Sequence, residues 1–426
     1  MATDPAETSR AILTEITQGF DAGFTLQLWD GSSWQMGTGP ASFKFALKHP
    51  GAVRTMFWPF NNVALGEAYI FDDFDIEGDM FAFTGWLRHL VARQNATKSW
   101  DKLRLLRGLL RLPKQQNPRD RSKAGQPTAG DHRVEKEREA ISFAYDLPAE
   151  FFELFLDKQM QYSCGYFASA DEDLDVAQER KLDYICRKLR LKPGERFVDF
   201  GCGWGGLIVH AAKHYGVEAV GVTLSAGQAK RAERRISDND LGNRARVVLC
   251  DYREFADTVP FDKAASIGMA EHIGNANLPL YLSKVYSCLR PGGAYLHHSI
   301  TLRPNTPFPR WTPFARKYVF PNGELQTITY VLTSAADAGF EIRDVESLRE
   351  HYVLTLENWV RRLEANHARV LELTDEVNYR IFRIYMAGAT MGFRSGVYNL
   401  NQCLLVKPDE NGSAQLPLTR ADWYRE

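Results

Sequence analysis

The sequence has no apolar run near the roughly 18 residues that a membrane-spanning helix needs, so none of it is expected to cross a bilayer. It also has almost no net charge. Its 52 Lys and Arg against 53 Asp and Glu leave −1, which argues against a surface built to bind nucleic acid. The six cysteines (Cys164, Cys186, Cys202, Cys250, Cys288 and Cys403) include no Cys-x-x-Cys pair. That spacing speaks against a disulfide frame or a metal site and predicts reduced thiols. The first residues, Met-Ala-Thr-Asp-Pro-Ala-Glu, offer neither a basic start nor an apolar signal segment, and no internal repeat is visible. What is present is ordinary: 44% hydrophobic and 25% charged residues over 426 positions. This balance predicts a cytoplasmic enzyme of two to three domains with ample core.

Organisation changes along the chain. Residues 1–97 are rich in aromatics and read as short strands and turns, with alternation over Phe24–Trp29 and Ser42–Leu47 and a turn signal at Asp30-Gly31. Residues 71–79 hold five acids in nine positions without Ca²⁺-loop spacing, which predicts a solvated turn before a helix over Met80–Leu90. Between Lys98 and Lys123 nine basic residues face only Asp101 and Asp120. Arg104, Arg107 and Arg111 share one helical face, while Leu105, Leu106, Leu109, Leu110 and Leu112 cover much of the other. Two readings stay open: a basic amphipathic helix on an anionic lipid surface, or a connecting helix that packs its leucines on protein. Residues 115–131 read as a mobile loop. From residue 138, strands (Arg196–Phe200, Ala219–Thr223, Ala245–Leu249, Lys263–Gly268, Ala294–His298) alternate with helices (Gly206–Tyr215, Ala226–Asp238, Leu278–Leu289, Thr329–Ala338). Late strands follow near Glu341–Glu346 and Cys403–Val406. The pattern predicts an α/β fold, a Rossmann-like sheet with helices on both faces, plus a smaller N-terminal α+β domain. The expected division is 1–97, 98–137 and 138–426.

The strongest local signal is Phe197-Val-Asp-Phe-Gly-Cys-Gly-Trp-Gly-Gly206. An apolar strand carries Asp199 near its end, and Gly201 and Gly203 then let the backbone turn sharply beside a ligand. The acid ahead of the first glycine disfavours a dinucleotide. It resembles the nucleoside loop of class I S-adenosylmethionine (SAM) methyltransferases. In that fold the end of the second strand contacts the ribose, and Thr223 and Gln228 stand here in place of the usual acid. At the end of the third strand, Asp251 suits an adenine amino group and Tyr252 suits the ring face. Asp251 also reads as an ordinary cap or turn acid.

Five motifs occur in order: Tyr162-Ser-Cys-Gly-Tyr166, Val198–Gly206, Gly221-Val-Thr-Leu-Ser225, Met269-Ala-Glu-His-Ile-Gly274 and His351–Trp359. Together they resemble the cyclopropane-fatty-acid synthase and mycolic-acid methyltransferase family over residues 138–406, and more loosely over 1–97. The resemblance implies that Tyr162, Ser163, Gly201, Gly203, Thr223, Leu224, Gln228 and Tyr252 hold SAM. It also implies a bicarbonate ion acting as base, bound by Cys164, Glu271, His298, the backbone of Ile300, and Tyr352. In Leu296-His-His-Ser-Ile300 the spacing to Ile300 selects His298, with His297 on the opposite face of the strand. Taken singly, Cys164, His298 and Tyr352 also suit plain packing, whereas a buried acid such as Glu271 is costly without a task.

The chemistry implied is methyl transfer to an isolated alkene, which creates a carbocation that water would trap. Such a site must be apolar and dry, with an anion placed to take the proton whose loss closes a cyclopropane ring. The implied substrate is an unsaturated phospholipid acyl chain met at the inner face of the membrane, with no nucleic acid, by a homodimer. A methylene- or methyl-branched product (10-methylene stearate type) needs the same cation and base, and another small-molecule methyltransferase is a further alternative. Pro307–Phe314 and Tyr385–Phe393 read either as lining for a lipid channel or as loops packed on the core.

Overall fold

The computed structural model describes residues 4–59, 61–96, 99–119, 134–145, 147–305 and 313–424. The chain forms two compact units. The first takes residues 1–126 together with 312–319 and 367–391, and the second takes the remainder.

The first unit is built on a four-stranded sheet of β1 (Gly23–Gln27), β2 (Ser33–Met36), β3 (Ala41–Leu47) and β4 (Phe74–Gly78), in the order β2-β1-β3-β4. Its core is aromatic. Phe45 meets Phe74 edge-on at 5.1 Å, and Phe24 meets Trp86 of the helix Met80–Ala96 at 5.5 Å. Helices Pro5–Thr17, Ala52–Phe57 and Asn62–Ile70 join it, three more than the one helix expected here over Met80–Leu90. Two of these helices begin on local caps: Asp4 accepts from the Ala6 N–H (2.9 Å) ahead of Pro5, and Asn61 accepts from the Ala64 N–H (2.8 Å). The acids of 71–79 do not form a solvated turn. Asp73 is fully buried and takes His49 Nε2 (2.9 Å) and the Asn117 N–H (2.6 Å), while Asp72 and Asp75 both pair with Arg380 at 3.2 Å. Asp79 caps the following helix by accepting from the Phe81 and Ala82 N–H groups. Asn117 also donates to the Asp72 carbonyl (2.9 Å), so the expected loop is anchored at its start. Residues 120–131 of that loop lie outside the described residues, as do 307–312. The expected loop at 385–393 is instead part of the helix Glu376–Arg394.

The basic segment forms the helix Ser99–Arg111. Leu109 and Leu112 are buried, and the helix packs on Pro5–Thr17 and Ala52–Phe57. Arg54 closes its C-terminal end, donating to the carbonyls of Leu110 (3.3 Å) and Leu112 (2.8 Å).

The second unit carries an eight-stranded sheet. It comprises β5 (Arg196–Phe200), β6 (Glu218–Thr223), β7 (Ala245–Leu249), β8 (Phe261–Ile267), β9 (Leu289–Leu302), β10 (Gln326–Thr327), β11 (Glu341–Ser347) and β12 (Tyr398–Val406). The order is β11-β12-β9-β8-β5-β6-β7, with β10 beside β9. Strands β5 to β9 run parallel, and β12 lies antiparallel between β9 and β11. Alternate residues face two cores. Phe197, Leu296 and Leu404 pack with helices Leu174–Leu189 and Gly206–Tyr215, while Val198, Tyr295 and Leu405 pack with Leu278–Cys288 and Ile328–Asp337. Helices on both faces of a mostly parallel sheet leave the carboxyl ends of the strands as the place for a ligand.

Candidate active site

A cavity opens at those carboxyl ends, lined by Tyr162, Ser163, Asp199, Gly201, Gly203, Thr223, Leu224, Gln228 and Tyr252. The turn after β5 is held onto β6, since the N–H groups of Gly201 and Cys202 both donate to the Val222 carbonyl (2.9 and 3.0 Å). Gly201 has φ +85°, and a Cβ there would stand 3.2 Å from Met269. Gly203 has φ +52° and would meet nothing, because it faces the cavity. Both positions therefore favour glycine, one for backbone and packing together and the other for backbone alone. Thr223 donates to Gln228 Oε1 (2.9 Å), so the two polar groups that stand in place of an acid orient each other.

Asp199 is buried, and its Oδ1 has no hydrogen-bond partner among the described residues. Burial pushes this carboxyl up to about 7, against the pull of the Lys181 charge. Tyr162 sits in an aromatic wall, its ring 5.1 Å from Trp359, 5.7 Å from Phe152 and 6.1 Å from Phe320. Asp251 does not join the cavity. It is fully buried, and Arg253 grips both of its oxygens at 2.7 Å, as suits a turn acid. Tyr252, next in sequence, does line the cavity and packs edge-on against Tyr281 at 5.0 Å.

Sequence reasoning missed Gln161, Lys181 and His272. Gln161 and His272 line the cavity, and Lys181 acts behind it. The fully buried Lys181 donates to Gln161 Oε1 (2.7 Å) and Ser163 Oγ (3.0 Å), while Gln178 donates to the Ser163 carbonyl (2.7 Å). Asp157 accepts from the N–H groups of Gln159 and Gln161, both at 2.7 Å, and so shapes the same loop. Burial brings Lys181 down to about 8, resisted by the acids Asp157 and Asp199 and by Cys164. A signal existed: Gln178, Lys181 and Lys188 interrupt the apolar stripe of Leu174, Leu182, Ile185 and Leu189. His272 is held near 4 by burial and is therefore neutral.

The remaining candidates gather on neighbouring elements. Glu271 follows β8 in the short helix Ala270–Ile273, and its Oε1 accepts the Ile300 N–H (2.7 Å). Its Oε2 is buried without a partner among the described residues, and burial raises the carboxyl to about 7. His298 and Ile300 lie two apart on β9 and share a sheet face. His297 points the other way, to the Tyr295 hydroxyl at 2.9 Å. Cys164 is tied to this region through Leu348. Ile300 is in register with Leu400, whose carbonyl accepts the Leu348 N–H (2.8 Å), and the Leu348 carbonyl lies 3.9 Å from Cys164 Sγ. Tyr352 stands on the helix Arg349–Ala365, half-buried, edge-on to Phe393 at 4.5 Å. Two donors expected for an anion are engaged within the protein. The Ile300 N–H serves Glu271, and the Cys164 thiol, kept protonated by burial, is directed at the Gly165 carbonyl (3.2 Å).

Known proteins resemble this chain in sequence and fold. The family model described as mycolic acid cyclopropane synthetase matches residues 132–403. The chain belongs to that family. A domain of unknown function, DUF7884, matches residues 12–92. A probable fatty acid methyltransferase of Pseudomonas putida is 37% identical over 97% of this chain and all of its own length. The cyclopropane-fatty-acyl-phospholipid synthase of Escherichia coli K12 is 37% identical over 63% of this chain and 68% of its own. Among solved structures, mycolic acid cyclopropane synthase CmaA1 complexed with SAH and CTAB superposes with a TM-score of 0.60 at 34% identity, over 63% of this chain and 97% of that one. This family member is a SAM-dependent methyltransferase of the cyclopropane synthase type, and its fold is that of the class I methyltransferases. The cavity suits the cofactor: a glycine turn with Gly203 open to it, an aromatic wall and a buried carboxylate oxygen lacking a partner among the described residues.

Proposed function

We propose that this methyltransferase adds a methylene group across cis double bonds of unsaturated phospholipid acyl chains, with bound bicarbonate as the base. The observation that carries the reading is the pair of buried atoms, Glu271 Oε2 and His298 Nε2, left without partners among the described residues. Buried polar atoms are rarely left so without a ligand to meet them. SAM, when bound, supplies an electrophilic methyl group to the alkene. Bicarbonate, when bound, accepts the proton whose loss closes the ring. The aromatic wall around Tyr162 keeps water from the cation, and a Glu271 carboxyl raised to about 7 is protonated often enough to donate to an anion. His298 offers a second polar contact on the Ile300 face of β9.

A second reading is favoured by the Pseudomonas putida relative, a probable fatty acid methyltransferase matched over 97% of this chain. In this reading the same methyl transfer ends in a methylene- or methyl-branched chain. Lipids from a bacterium expressing the protein separate the two. A gain of CH₂ with cyclopropane ring protons in NMR is expected, whereas an exocyclic alkene signal or a branched saturated chain assigns the second product. Glu271→Gln is expected to lower product formation about a hundredfold or more while SAM still binds, and full activity in that variant overturns the base site.

A further inference from the structure

Behind His298 runs a line of buried polar groups. Lys188, on the helix Leu174–Leu189, is 1% exposed, Gln402 on β12 is fully buried, and His298 is 1% exposed. Lys188 Nζ pairs with Glu346 of β11 and donates to Gln402 Oε1 at 2.8 Å. Gln402 Nε2 stands 3.1 Å from His298 Nδ1. A lysine ammonium has only hydrogens to offer, so the amide oxygen of Gln402 must face it. The amide nitrogen then faces the imidazole, and an NH₂ group can only donate. His298 Nδ1 is therefore the acceptor of this contact.

We propose that Lys188 and Gln402 are positioning residues that fix His298 as the Nε2–H tautomer, so that it meets its ligand as a hydrogen-bond donor and never as the base. The proposal rests on the reading of His298 as part of the site for the base. The imidazole stays neutral, because burial and the charges of Lys181 and Lys188 all oppose protonation. A neutral ring carries one ring N–H. With Nδ1 accepting, that hydrogen is on Nε2, the atom left without a protein partner among the described residues. Glu346 and the ring faces of Tyr184 (4.6 Å) and Trp423 (5.4 Å) hold the Lys188 ammonium in place, so the amide of Gln402 cannot turn over without losing both contacts. His298 has no free lone pair to take a proton from substrate. Proton removal falls to another group.

The direct test is the nitrogen spectrum of the full chain labelled with ¹⁵N-histidine, with His298→Gln used to assign the His298 signals. Expected is a protonated Nε2 and an unprotonated Nδ1 in the free protein. Gln402→Glu places a carboxylate against Nδ1 and is expected to move a hydrogen onto it, with product formation lowered about tenfold or more and SAM affinity unchanged within about twofold. A protonated Nδ1 in the natural sequence overturns the proposal, as does a Gln402→Glu spectrum identical to it. The natural sequence alone decides the tautomer should Gln402→Glu fail to fold. An Nε2–H signal together with full activity in His298→Gln leaves the tautomer lock standing and removes His298 from the reaction.

Discussion

Asp199, on the cavity wall, is expected to tie cofactor binding to pH. In the free protein its buried carboxyl titrates at about 7, raised by burial and held down only by Lys181. A cofactor carrying a sulfonium and an ammonium favours the ionised form, so binding releases a proton wherever the free carboxyl still holds one. SAM affinity is expected to rise as pH increases from 5 to 7.5, at most about tenfold per unit, and to level off above the carboxyl's own value. Calorimetry in buffers of different ionisation enthalpy measures the released proton directly. Asp199→Asn is expected to bind more weakly and to flatten the pH dependence; an unchanged slope places the titration elsewhere. Such residues were legible in the sequence because a ligand loop needs its acid and glycines at fixed places beyond one strand. Asp251 was ambiguous for the opposite reason. An acid two residues before an arginine forms a local pair as readily as it meets a ligand, and only the folded turn shows Arg253 closed over it. Lys181 was overlooked because one lysine within a helical repeat reads as surface until the stripe around it is seen to be buried.

At the scale of elements, the helix Ser99–Arg111 divides its residues more finely than its composition suggests. Leu109 and Leu112 are buried within the first unit, as a packed domain helix requires, and Arg104 is paired with Glu15. Yet Leu103 (40% exposed) and Leu110 (49%) lie on the outer face with the exposed Arg107 and Arg111, one and two turns apart. An apolar and basic outer face of this kind suits anionic lipid. Replacing Arg107 and Arg111 by Gln is expected to weaken binding to vesicles containing phosphatidylglycerol while leaving SAM affinity intact; equal vesicle binding returns the helix to a purely internal role. Leu112→Ala, by contrast, is expected to cost about 2–5 kcal/mol in denaturant unfolding of the first unit. Most strands and helices between Arg196 and Asp337 could be read closely because they are short apolar or amphipathic runs bounded by glycine, proline or a polar cap, whereas the helices Leu174–Leu189 and Arg349–Ala365 were not read. In the first unit β1, β3 and the helices Met80–Ala96 and Ser99–Arg111 were also legible, but the helices Pro5–Thr17, Ala52–Phe57 and Asn62–Ile70 were not. Asn62–Ile70 is apolar along most of its length, so it shows little periodicity by which to separate helix from strand.

For the whole molecule, the division of the chain differs from a simple succession of domains. The first unit includes residues 367–391, and two arginines from that stretch lie inside it. Arg380 is 5% exposed and donates to the Tyr69 carbonyl (3.0 Å), and Arg383 is 6% exposed and donates to the Tyr69 hydroxyl and the Ile76 carbonyl, both at 2.9 Å. No sequence pattern announces such an arrangement, because the partners stand some 300 positions apart and neither half looks unusual alone. Residues 1–126 expressed as a fragment are expected to lack a cooperative unfolding transition by circular dichroism, since Asp72 and Asp75 lose Arg380, keeping Arg119 and Lys48, and several carbonyls lose both arginines. A sharp transition in that fragment shows that the unit closes without the later chain.

The same two arginines bear on how such a chain can change over generations. An N-terminal segment joined only by a linker can be gained or lost in one step, whatever follows it. Once the helix that carries these arginines shares a unit with that segment, deleting the segment takes away the carbonyls and the hydroxyl that hold them and leaves the helix without the partner it packs on. The loss is tolerated only if that helix has already been remade for a wet surface, and each such change is itself harmful while the segment remains. The addition therefore works as a ratchet: easily refined in place, and hard to remove.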